Sequence, residues 1–147
     1  MATNGPILLI EDDEDDQLLI QEILQRLHAD NPLRCFTNAG DALKYLSETK
    51  DKPFLIISNV HLNMIDGIEL RQKIQDDPTL KDKSIPFVFM STDVRSRTIK
   101  NAYNLPVQGY FEKSDTLEKL ERTFRIMIDY WTLCIHPNVN DTNLSLP

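Results

Sequence analysis

Apolar residues fall along the chain in two alternating patterns. Short runs with almost no polar interruption occupy residues 6–10, 53–57 and 85–90, and weaker ones occupy 32–36 and 106–111. Runs of this length bounded by polar breaks predict strands, and the three unbroken ones read as strands covered on both faces. Between them the spacing becomes helical. Leu19, Ile20, Ile23, Leu24 and Leu27 share one face, and Ala42, Leu43 and Leu46 mark a short helix over 41–46. Ile68, Leu70 and Ile74 mark a third helix, opened by Asp66 and Gly67 and ended by Asp76, Asp77 and Pro78. A weak helix is expected up to about Tyr103. A long one over 116–133 carries Leu117, Leu120, Phe124, Met127, Ile128 and Trp131.

Strand and helix therefore alternate five times. The pattern predicts an α/β fold, a doubly wound five-stranded parallel sheet with helices on both faces. With 147 residues the chain suits one domain, expected over 1–133, followed by a loose polar tail over 134–147. No repeat and no linker is visible. Open parallel sheets place ligands outside the carboxyl ends of their strands. The residues that follow the strands are Glu11, Asp12 and Asp13; Asn59, Val60 and His61; Ser91 and Thr92; and Glu112 and Lys113.

Charge sharpens that picture. The formal net charge is -7, and residues 11–16 are six consecutive acids. Elsewhere acids and bases nearly balance, so the excess is local. This argues against a nucleic-acid surface, which needs clustered Lys and Arg. It points to a site for a cation, or to an acidic helix start complementing the helix dipole. Cys35 and Cys134 are too far apart in sequence to form a metal-type pair. No run approaches the roughly 18 apolar residues of a membrane helix, and residues 1–6 show no signal-peptide pattern. A cytoplasmic protein with reduced thiols is expected.

Acids after strand one, a hydroxyl after strand four and a lysine after strand five resemble the receiver domain of bacterial two-component response regulators. The resemblance spans residues 6 to about 133. It implies the flavodoxin-like (βα)5 fold with strand order 2-1-3-4-5. It also implies Mg²⁺ held by Glu11, Asp12, position 59 and the backbone carbonyl of His61. By the same resemblance Ser91 and Lys113 contact phosphoryl oxygens, and Tyr110 is an aromatic that changes rotamer. The family's phosphoacceptor Asp lies eight residues before the glycine that closes the loop. Counting back from Gly67 gives Asn59. An amide has no anionic oxygen to attack phosphorus, so the usual aspartyl-phosphate cannot form there. One anionic ligand is also gone, and Mg²⁺ binding should weaken. Two further departures are Asn63, where the family usually has Pro, and Ser114, where a cis Pro usually follows the lysine.

The reading that follows is a pseudo-receiver: a non-enzymatic phosphorelay module acting by docking. Its expected partners are a histidine kinase, a phosphotransfer protein or another regulator. They would meet the face formed by helix four, strand five and helix five, roughly residues 95–131. Lys113 is expected to pair with Asp12 or Glu11, Asp13 to Asp16 to serve the helix start, and Asp66 to be a helix N-cap. Two alternatives stay open. One is an orthodox Mg²⁺-dependent phosphoryl-accepting regulator, in which Asn59 replaces a native Asp or another acid, such as Asp12 or Asp13, accepts. The other is a Mg²⁺-dependent phosphohydrolase using Asp13 and Asp15.

Overall fold

The computed structural model describes residues 5–136. Five strands, β1 (Ile7–Ile10), β2 (Leu33–Phe36), β3 (Leu55–Ser58), β4 (Phe87–Ser91) and β5 (Gly109–Glu112), form one sheet. All neighbours pair parallel, in the order β2-β1-β3-β4-β5. Five helices connect them, α1 (Glu14–Arg26), α2 (Ala39–Glu48), α3 (Gly67–Asp76), α4 (Pro78–Asp82) and α5 (Ser96–Tyr103), and α6 (Leu117–Leu133) follows β5. The doubly wound parallel sheet is the one the patterning implied, and its flavodoxin-like strand order is the one the family resemblance implied.

The apolar runs explain the layering. Successive side chains on a strand point to opposite faces, so an unbroken run feeds two cores. Ile7, Leu9, Leu55, Ile57, Val88 and Met90 pack against Ile20, Ile23 and Leu24 of α1 and Leu120, Phe124 and Met127 of α6. Leu8, Ile10, Ile56, Phe87 and Phe89 face the other way, onto α2, α3, α4 and Ala102 of α5. Phe54, Phe87, Phe89 and Phe124 are fully enclosed, each contributing roughly 2 kcal/mol on burial. The two weaker runs became the edge strands β2 and β5, which are partly exposed.

Two details differ from the sequence reading. Asp77 and Pro78 do end α3, but they also start α4. The Asp77 side chain accepts from the N–H groups of Thr79 and Leu80, and Pro78 fills the first helical turn, where its missing N–H is no loss. The other concerns the tail. His136 still belongs to the packed body: it is buried against Phe54, with ring centroids 5.2 Å apart, and lies 6.5 Å from Trp131. The rest of the expected tail, 137–147, lies outside the described residues. Among the described residues no helix is long and apolar enough to cross a membrane.

Candidate functional site

The carboxyl ends of β1, β3, β4 and β5 deliver their following residues to one rim. Asn59 leaves β3 with its N–H on the Ile10 carbonyl, and the Lys113 N–H bonds the Ser91 carbonyl. Glu11, Asp12, Asp13, Asp16, Asn59, Thr92, Lys113 and Ser114 line a shared cleft. Gly67 fixes the loop between β3 and α3. Its N–H bonds the Val60 carbonyl at 2.7 Å, and a Cβ there would lie 2.1 Å from the Asn59 carbonyl oxygen. Any side chain at 67 would force this loop open.

Lys113 organises the cleft. Its Nζ donates to Glu11 Oε1, and to Asp16 Oδ2 at 2.7 Å. Glu11 is buried. Its other oxygen accepts from the Asp13 N–H at 3.2 Å and from the Asn59 side-chain amide at 3.3 Å. Burial raises the Glu11 pKa, against the pull of Lys113. Burial alone would lower the Lys113 pKa, but the Asp16 and Glu11 carboxylates outweigh it and hold it above the ordinary value. The expected Lys113–Glu11 pair is present. Its second partner is Asp16 rather than Asp12. Asp16 sits in the first turn of α1 and was read only as helix-start charge.

A second cluster forms around Asp93, in the connection from β4 to α5. Its carboxylate bonds His61 Nε2 at 2.7 Å, Arg95 Nη2 at 2.8 Å and the Thr98 hydroxyl at 2.9 Å. The Tyr110 hydroxyl donates to the Asp93 backbone carbonyl. Arg95 and His61 hold the Asp93 carboxyl far below the usual carboxylate range. Burial pushes the Tyr110 phenol up, and its ring packs 6.1 Å from that of Phe89. The sequence reading assigned His61 a carbonyl role only; its side chain instead ties two loops together.

Ser91 is buried at the end of β4, and its hydroxyl accepts from the Asp93 N–H at 3.0 Å. Thr92, one residue on and exposed, lines the cleft instead. Asp66 caps α3 as expected, accepting from the Glu69 N–H at 2.8 Å. Asp13 caps α1, accepting from the Asp15 and Asp16 N–H groups; Asp13 and Asp15 are thus part of a helix start. The Lys113–Ser114 peptide is trans, so this loop takes its own path without the cis proline.

The implied metal ligands are Glu11, Asp12, Asn59 and the His61 carbonyl, and they do not fit a divalent ion as arranged. Both Glu11 oxygens already have N–H partners. Asn59 gives its oxygen to the Val60 N–H at 2.9 Å and turns its amide N–H toward Glu11. Among the described residues no three His, Cys, Asp or Glu side chains are grouped to hold a metal.

This fold, with acids, a hydroxyl residue and a lysine around one rim, defines a receiver-type module. A family model of the response regulator receiver domain matches residues 7–125, and the chain belongs to that family, whose domains act in two-component signalling. Response regulator Rcp1 of Synechocystis is 30% identical over 130 residues, covering 85% of this chain and 87% of Rcp1. The phosphorylated cyanobacterial phytochrome response regulator RcpA superposes with a TM-score of 0.81 at 30% identity, covering 91% of this chain and 98% of RcpA. The Mn²⁺-bound form of Rcp1 gives 0.76 at 28% identity, with 90% and 96% covered.

Proposed function

We propose that this chain is a pseudo-receiver: a two-component signalling module, without enzymatic activity of its own, that does not accept a phosphoryl group at position 59. One observation carries the reading. The residue at the phosphoacceptor position is Asn59, and its carboxamide is spent on Glu11 and on the Val60 N–H. RcpA is phosphorylated and Rcp1 takes Mn²⁺. Here the neutral amide removes the nucleophile and one anionic metal ligand, so Mg²⁺ in this cleft is expected to be weak.

Such a module works by docking to a histidine kinase, a phosphotransfer protein or another regulator in the bacterial cytoplasm. The surface of α5, β5 and α6 suits this. It exposes Val94, Tyr103 and Ile126 among Arg95, Arg97, Lys100 and Arg122. The face itself rests on family analogy.

The test uses a small-molecule phosphoryl donor with Mg²⁺. The natural chain and Asn59→Asp are incubated side by side, and intact mass and hydroxylamine lability are recorded. Asn59→Asp is expected to gain one hydroxylamine-labile phosphoryl group, and the natural chain none. An acyl phosphate on the natural chain means that another acid accepts, and the reading fails.

A further inference from the structure

We infer that Lys113 is the resident cation of the cleft, its ammonium filling the place a divalent metal would need beside Glu11. The inference deepens the pseudo-receiver reading, resting on position 59 being uncharged. A carboxylate as buried as Glu11 demands a positive partner or neutralisation. Lys113 supplies one and is itself held from the far side by Asp16. Asp16 therefore has a role that no metal-ligand pattern assigns: it positions the ammonium.

The charge at position 59 decides the outcome. A carboxylate there would draw Lys113 toward itself and leave the acids after β1 in need of a second cation. With an amide, the lysine is free to serve Glu11 and Asp16 alone. Asn59 then completes the closure by donating to the remaining Glu11 oxygen. An entering divalent ion would have to displace the ammonium and strip the Asp13 and Asn59 N–H groups from Glu11. Asp12, whose carboxyl lies within hydrogen-bonding reach of Glu11, would be left to receive it. The positive lysine at the mouth also repels any second cation. The cleft is thus neutralised from within, and its geometry is independent of Mg²⁺.

The test is a Mn²⁺ titration of the full chain, with free ion followed by electron paramagnetic resonance. The natural chain is expected to show no saturable site up to millimolar Mn²⁺. Lys113→Met is expected to bind at least about tenfold more tightly, because it removes a like charge beside the site. Lys113→Arg keeps the charge and should bind as weakly as the natural chain, which guards against a Lys113→Met variant that does not fold. Saturable binding by the natural chain overturns the inference, as does Lys113→Arg binding tightly or a folded Lys113→Met binding no better. This failure is distinct from that of the pseudo-receiver reading. Mn²⁺ binding without acyl phosphate removes the resident cation and leaves the silent position 59 intact, whereas acyl phosphate on the natural chain removes the reading beneath it.

Discussion

Two ionic clusters sit on the same rim of one sheet and do different work. In the first, Lys113 joins Glu11 and Asp16, with the Glu11 and Lys113 side chains only 3% and 12% exposed. In the second, Asp93, its own side chain 8% exposed, gathers His61 and Arg95, whose side chains are 61% and 75% exposed. The Asp93 contacts to His61 and Arg95, at 2.7 and 2.8 Å, are as short as the 2.7 Å contact between Lys113 and Asp16. Their energetic weights differ because water competes for the exposed ends. Breaking an enclosed pair strands a charge out of water, whereas breaking an exposed one returns it to water. Bond length is therefore no guide here; burial is. The Lys113–Glu11 pair is enclosed at both ends, whereas the Asp93 pairs are enclosed only at the carboxylate and their cations stay in water.

The largest expected effect comes from Lys113→Met. It strands Glu11, and urea denaturation should record a loss of about 3 kcal/mol. Asp16→Asn keeps the Glu11 contact and gives up a partner that is 35% exposed; a loss of about 1 kcal/mol is expected in the same assay. If the two losses come out equal, Asp16 is as essential as Glu11 and the burial argument fails.

Titration separates the clusters by sign. The native Lys113 pKa is raised above its ordinary 10.5, so its contribution is complete below that value and is lost as pH rises beyond it. The native Asp93 pKa is lowered from 3.8, so its contribution is present above 3.8 and is lost as pH falls below it. Glu11, with a native pKa raised from 4.5, opposes this: its share is fullest below 4.5 and declines as pH rises. Stability curves of Asp93→Asn should therefore differ in shape from the natural chain on the acid side, and those of Lys113→Met on the basic side. Salt gives a subtler contrast. At about 1 M salt the screening length is about 3 Å, so the His61 and Arg95 contacts should weaken while the Lys113 cluster persists. The smallest effect is expected from His61→Ala, which should leave the denaturation midpoint unchanged within error. It should instead raise the backbone mobility of residues 61 and 93, measured by amide relaxation.

The sheet was legible in the sequence because its central strands are enclosed on both faces, which forces unbroken apolar runs at 7–10, 54–57 and 87–90. The helix at Pro78–Asp82 was not, because Asp77 and Pro78 read equally well as a stop and as a start. The available signal was Asp before Pro, an N-cap followed by a first-turn residue. Glu11, Asn59 and Lys113 were placed correctly on the rim, since each directly follows a strand. Asp16 and Asp93 were missed for one physical reason. The Lys113 partner of Asp16 and the His61 partner of Asp93 lie 97 and 32 residues away, and local spacing carries no record of such pairings; only the Arg95 and Thr98 contacts of Asp93 are local. Ser91 shows a further limit: the strand runs one residue longer than the apolar pattern, enclosing Ser91 and leaving Thr92 at the cleft.

The close approach at Gly67 has a consequence for how position 59 can change. With 2.1 Å between a hypothetical Cβ and the Asn59 carbonyl oxygen, the two ends of the loop are indexed to each other like teeth on one gear. The backbone at 59 has no slack with which to absorb a substitution. Exchanging amide for carboxylate there alters voltage rather than shape, and the rim must answer by redistributing its mobile cations instead of by moving its walls.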